Sequence, residues 1–255
     1  MQSKSKRAVF IRIAAAVLLV AVITTLVYSL TFNVAKELSY HTIIPIIKNL
    51  FIGKSSANMI LQLLNNVIPL IRVMIGIVLL FIAVIMLFAL KEKAAGRLFI
   101  IYGIVNTVLN IAGLIVYLIL IRNSPDIKSF ISANLWPNIE YLLIQTLFIL
   151  LGLLLCGAFK GASKVFGFIL LGLFSVCVIY DTVYFIRGIP HGVNYIIGGA
   201  GKSTAFYVIS SITNYFIEPP ALILTYTGCI FCCLGVGLTS NNKKIEEAPD
   251  AGQQA

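Results

Sequence analysis

The stretch "IIGGAGKST", Ile196 to Thr204, carries the glycines and the Gly-Lys-Ser of a phosphate-binding loop. Loops of the GxxxxGK[ST] type wrap backbone N–H groups around phosphates and send the lysine to the terminal ones. Here the position of the first glycine is Ile196. The stretch also follows an apolar helical run instead of a buried strand, and no soluble segment offers an apolar run ending in Asp to hold magnesium. Nucleotide binding is therefore not expected, and Lys202-Ser203 belongs to a different pattern.

Ionisable and amide groups inside long apolar runs are the other candidates. A charge near the centre of a bilayer costs at least a few kcal/mol, so it usually faces protein or water and has a partner. Asp181, in "VIYDTVYFIR", lies about five residues inside the end of such a run, or roughly 7–8 Å at 1.5 Å per residue. Arg72 is expected at a comparable depth in another. Two readings follow for this pair: a static salt bridge pinning two helices, with Arg72 partly snorkelling, or a proton or cation site. The first is favoured. Asn106 and Asn110, four residues apart, share one helical face, and Gln145 and Thr146 match their depth on the next run. Such amides line a polar path or, more commonly, tie helices together. Glu140 and Glu218 stand near the starts of their runs and could ring a mouth, although charges at headgroup level are ordinary. Arg12 can snorkel and is given no role.

The thiols in "CIFCC", Cys229 to Cys233, do not make a metal site. Structural zinc needs four Cys or His ligands, whereas both histidines, His41 and His191, are expected on the other side of the membrane from these thiols. The cysteines read as small buried apolar residues. No HExxH or GxSxG occurs, and no spacing supports a Ser-His or Asp-Asp pair. The chain is not expected to be an enzyme or to hold a cofactor.

The elements carrying these residues follow from composition. Hydrophobic residues make up 60% of 255 positions and charged residues 11%, against roughly 25% charged in soluble domains. Crossing about 30 Å of hydrocarbon takes about 20 apolar residues. Six runs supply them, near 10–32, 70–90, 98–121, 141–159, 165–186 and 220–238, and none shows the alternation of a barrel strand. The expected fold is an all-α integral membrane protein with one polytopic domain over 1–238 and a short disordered cytoplasmic tail over 239–255.

More than half of the 19 basic residues fall in "MQSKSKR", "KEKAAGR", "KGASK" and the tail from Thr239. The positive-inside rule then places both termini in the cytoplasm. The net charge of +10 is read as this topology signal, because no basic run is dense enough for nucleic acid. The first run also resembles a secretory signal, with Val27 and Ser29 as a conceivable exit site, but its apolar core is long for one and an uncleaved anchor is favoured. The absence of any N-x-[ST] sequon leans toward a bacterial inner membrane.

Lys-Ser recurs at Lys54-Ser55, Lys128-Ser129 and Lys202-Ser203, 74 residues apart both times and each in a connection on the outer side, while a fourth, Lys4-Ser5 in the N-terminal segment, does not fit the series. After Ser55, Met59, Ile60, Leu63, Leu64, Val67 and Ile68 form a helical apolar stripe opposite Asn58, Gln62, Asn65 and Asn66. A similar stripe follows Ser203, and a weaker one follows Ser129. Each segment then meets proline, at Pro69, Pro137 and Pro219-Pro220, which suits a helix's first turn. The expected architecture is three helical hairpins, each with an extracytoplasmic amphipathic helix lying at the membrane surface. The proline–acid–base signature of mitochondrial carriers, which share a three-pair plan, is absent.

Two functional classes remain. One is a non-enzymatic membrane subunit or scaffold that packs on a membrane-protein partner or on another copy of itself. The alternative is a small-solute or ion transporter with a path lined by Asn106, Asn110, Gln145 and Asp181.

Overall fold

The structure, a computed structural model, describes residues 2–40, 47–48, 52, 57–121, 127–159, 161–199 and 205–237. Among them the chain is helical almost throughout, with no strand. The elements are α1 (Gln2–Tyr40), α2 (Ala57–Phe88), α3 (Glu92–Ile121), α4 (Ile127–Cys156), α5 (Ser163–Gly199), α6 (Ala205–Ile212), a π-helical turn (Thr213–Ile217) and α7 (Glu218–Gly237). Among the described residues six stretches are long and apolar enough to cross a membrane: Lys6–Phe32, Ala57–Phe88, Glu92–Leu120, Pro137–Cys156, Ser163–Gly198 and Val208–Gly237.

The stretches run longer than the apolar cores read from sequence, and the prolines explain why. Pro69 and Pro137 lie inside α2 and α4 instead of opening them. The amphipathic segment after Ser55 therefore continues directly into its span and is not a separate helix on the surface. An internal proline deletes one backbone hydrogen bond, while ending one helix and starting another would orphan up to four groups at each new terminus. Among packed membrane helices the single loss is tolerated. In the third case α6 reaches α7 through the π turn, where the Glu218 N–H donates to the Thr213 carbonyl. The Lys54-Ser55 and Lys202-Ser203 pairs and the tail lie outside the described residues.

Helices pack in the lateral order α4, α3, α2, α1, α7, α5, each antiparallel to its neighbours. The short α2–α3 and α4–α5 turns, the start of α1 and the end of α7 gather at one end, here the turn end. The ends of α1, α3 and α5 and the starts of α2, α4 and α6 lie at the other, the loop end. Both turns close by the same device: Lys91 N–H bonds to the Met86 carbonyl and Ala158 N–H to the Leu153 carbonyl, around left-handed residues Leu90 (φ 56°) and Gly157 (φ 77°). At the turn end Arg7 Nε donates to Glu92 Oε1 at 2.9 Å and Arg7 Nη2 to the second carboxylate oxygen. This tie joins α1 to the first turn of α3, where the helix dipole favours an acid.

The core sits in the turn-end half. Phe148 of α4 stacks on Phe99 of α3 (6.2 Å between centroids) and meets Phe174 of α5 (6.1 Å) and Tyr102 (5.0 Å) edge-on. Phe174 in turn stacks on Tyr226 of α7 at 6.2 Å. Ile11, Leu18, Leu87, Leu154, Cys229, Cys232 and Cys233 complete this layer, all essentially buried. Two close crossings draw the backbones together. A Cβ on Gly96 would lie 2.6 Å from the Gly152 carbonyl oxygen, and one on Gly228 would lie 2.5 Å from Leu18 Cγ, so glycine is what lets α3 meet α4 and α7 meet α1. α4 and α5, although joined by a short turn, touch little beyond their aromatic contact.

Candidate functional site

Towards the loop end, α2, α3 and α4 present polar side chains to one another. The i, i+4 spacing of Asn106 and Asn110 on α3 and the i, i+3 spacing of Asn138 and Tyr141 on α4 put each pair on one face, and Arg72 of α2 fits between them. Arg72 Nη1 donates to Asn110 Oδ1 at 2.8 Å, and its guanidinium lies 4.8 Å from the centroid of the Tyr141 ring, within cation–π range. Asn110 Nδ2 donates to Asn138 Oδ1 at 3.1 Å. The Tyr141 hydroxyl donates to Asn106 Oδ1 at 3.2 Å, and Asn106 Nδ2 to the Tyr102 carbonyl at 2.8 Å. Gly76 makes room for this, since a Cβ there would come within 3.3 Å of the Tyr102 ring.

Beside this network is a cleft of about 450 Å³ lined by Asn65, Ile68, Arg72, Leu109, Asn110 and Tyr117, among others. Its size is that of a small-molecule site, and its mixture of apolar walls with a few convergent polar groups is the usual one.

The remaining candidates lie elsewhere. Gln145 is buried, and its Oε1 has no hydrogen-bond partner among the described residues. Its backbone carbonyl abuts Gly103 of α3, which puts it at the α3–α4 contact. Thr146 turns back onto its own helix and bonds to the Leu142 carbonyl. Asp181 is half-buried on α5 and has acids, Glu140 and Glu218, as electrostatic neighbours. Glu218 bonds to the Tyr28 hydroxyl of α1, close to Asn214 and Ser210, whose side chains bond to each other at 3.2 Å.

Arg72 and Asp181 are thus not a pair: α2 and α5 do not touch, and the one ion pair among the described residues is Arg7–Glu92. Arg72 meets an amide and a ring instead, partners that charge matching does not point to. The Arg7–Glu92 tie was visible only as counted charges, yet both residues border apolar runs, and that placement was its available signal.

The separation of Arg72 from Asp181 has a measurable consequence. In a double-mutant cycle of Arg72→Gln and Asp181→Asn, read by thermal unfolding in detergent, the two changes should be additive within about 0.5 kcal/mol. A coupling above about 1 kcal/mol would restore the salt bridge.

No family model, no curated protein and no solved structure matches this chain.

Proposed function

We propose that this chain is a non-enzymatic, multi-pass membrane subunit that packs against a partner membrane protein through α5. The observation that carries the reading is the length and exposure of that helix. The apolar stretch of 36 residues, Ser163–Gly198, measures about 54 Å at 1.5 Å per residue. Even at a tilt of 40°, the upper end of the usual range, it spans about 41 Å, so roughly 11 Å lies beyond a 30 Å hydrocarbon core. Its loop-end portion beyond that core nonetheless exposes Val193 (40%), Tyr195 (57%) and Ile197 (70%). Lipid cannot cover apolar side chains at that height, and a second protein can.

In this reading both termini are cytoplasmic in a bacterial inner membrane and the long connections face outward, as the placement of Lys and Arg implies. The three antiparallel pairs α1/α2, α3/α4 and α5/α7 serve as hairpins of a scaffold. The polar groups act as local ties: the Arg72 network and the Glu218–Tyr28 group lie on opposite flanks of the bundle, and below both the Phe99–Phe148–Phe174–Tyr226 layer is filled by side chains. Neither a cofactor nor a catalytic residue is required.

A photo-crosslinking amino acid at Tyr195 tests the reading in native membranes, with Val78 of α2, 53% exposed mid-span, as the lipid-facing control. A discrete protein adduct at Tyr195 and none at Val78 is expected. An adduct at twice the chain's mass would make the partner a second copy, and lipid adducts alone at both positions would sink the proposal.

Transport is the second reading, and the cleft at Arg72 favours it. That cleft would be an access vestibule, and the aromatic layer a closed gate below it.

A further inference from the structure

Arg72 combines three features that together imply a ligand. It is a permanent cation within a long apolar helix, it borders a cleft of about 450 Å³, and among the described residues it meets no carboxylate. Its only hydrogen bond there uses Nη1, and a guanidinium has five N–H donors in a planar fork. Its Cζ lies over the Tyr141 ring, which favours the cation without neutralising it. The cleft's polar lining beside it consists of neutral amides and a phenol, Asn65, Asn110, Asn138 and Tyr117, while Ile68, Leu109 and Leu114 supply apolar wall.

We propose that this cleft binds a phosphate-type anion, with Arg72 as its charged anchor and the surrounding amides as neutral donors. A tetrahedral anion accepts the parallel N–H groups of a guanidinium, and the pairing is about twice as strong as a neutral hydrogen bond. Depth supports the choice of anion and rests on the membrane reading above. From Phe88, the turn-end limit of α2, to Arg72 is 16 residues, or about 24 Å of rise, which leaves the Arg72 backbone some 6 Å inside the opposite edge of a 30 Å core if Phe88 marks the near edge. Lipid phosphates lie just beyond that edge, and an arginine side chain can span the gap. The phosphate could belong to a lipid whose chain lies along the apolar wall, or to a free solute entering from the loop end.

The probes are phosphatidylglycerol, phosphatidylcholine and inorganic phosphate, added to the full-length protein in detergent. Retention of lipid is read by native mass spectrometry and protection by thermal unfolding. Retention of one phosphatidylglycerol in preference to phosphatidylcholine is expected, weakened about tenfold or more by Arg72→Gln. Saturable protection by inorganic phosphate, lost in the same variant, would identify a free solute as the source. Because Arg72→Gln also removes the Asn110 bond, Gly113→Leu provides a second variant that keeps the charge. Gly113 lines the cleft, and a Cβ there would meet only Ile68, at 3.6 Å, so leucine has room to fill the space. It should abolish binding while the thermal midpoint without ligand stays near that of the parent. Equal retention of the two lipids without phosphate protection, or anion binding unchanged in both variants, would overturn the proposal. Neither result depends on whether α5 docks a partner.

Discussion

Gly152→Val should lower the stability of the bundle by about 3 kcal/mol or more, measured by thermal unfolding in detergent. A Cβ at Gly152 would lie 2.5 Å from the Gly96 carbonyl oxygen, 2.7 Å from Ile100 Cγ1 and 2.9 Å from Ile100 N. Two of these three atoms are backbone, which cannot swing aside as a side-chain tip can, so α3 and α4 must separate. Overpacking usually costs about 1–3 kcal/mol. Here it would be joined by the loss of dispersion contacts along the whole crossing, which is what holds membrane helices together. Gly172 is the control, since a Cβ there meets nothing within 4 Å, and Gly172→Val should stay within about 0.5 kcal/mol of the parent. A Gly152→Val variant as stable as Gly172→Val would mean that the α3–α4 crossing is looser than described.

Phe148→Ala should be comparably severe, for the opposite reason. Phe148 is 2% exposed and contacts Phe99, Tyr102 and Phe174, so its removal leaves a hole among three rings on two neighbouring helices. Large-to-small changes of this type cost about 3–5 kcal/mol in water-soluble cores. In a membrane the transfer part shrinks, and the cavity and lost dispersion remain, so about 3 kcal/mol is expected. Phe148→Leu keeps most of the volume and should cost about 1 kcal/mol. Phe148 also links α4 to α5 through Phe174, so limited proteolysis of Phe148→Ala should cut the α4–α5 turn faster than in the parent. Unchanged stability and unchanged cleavage together would remove Phe148 from the core.

Lipid made the six spans legible. It imposes a length and an apolar content that few sequences meet by accident, and each run read from sequence falls largely within a stretch found in the structure. Proline positions were misread because proline is favoured at helix starts and also tolerated within packed helices, and sequence carries no sign of which cost is lower. Lateral order was illegible for a physical reason. A membrane helix can be apolar all round, so its buried face is not marked by hydrophobicity, and nothing in the runs themselves places α1 beside α7. What marks such a face is small residues. Gly96 and Gly103 are seven apart on α3, opposite Gly152 and Gln145 on α4, a spacing that could have been read.

Of the candidate site, Arg72, Asn106 and Asn110 do come together, because helical spacing fixes which amides share a face. Asn138 and Tyr141 were missed. They come from a third helix, and an asparagine or a tyrosine near the end of a span has too many ordinary uses to stand out.

The pairing of α1 with α7 sets a constraint on how the protein is made. Gly228 and Gly235 of α7 receive Leu18 and Ile11 of α1, so residues about 210 positions apart must meet. At about 5–20 residues per second, the first helix waits roughly 10–40 seconds after synthesis for the glycines that receive Ile11 and Leu18. During that interval its small-residue face is open to whatever else shares the membrane. A chain that stops before Glu218 leaves that face without the helix that covers it here.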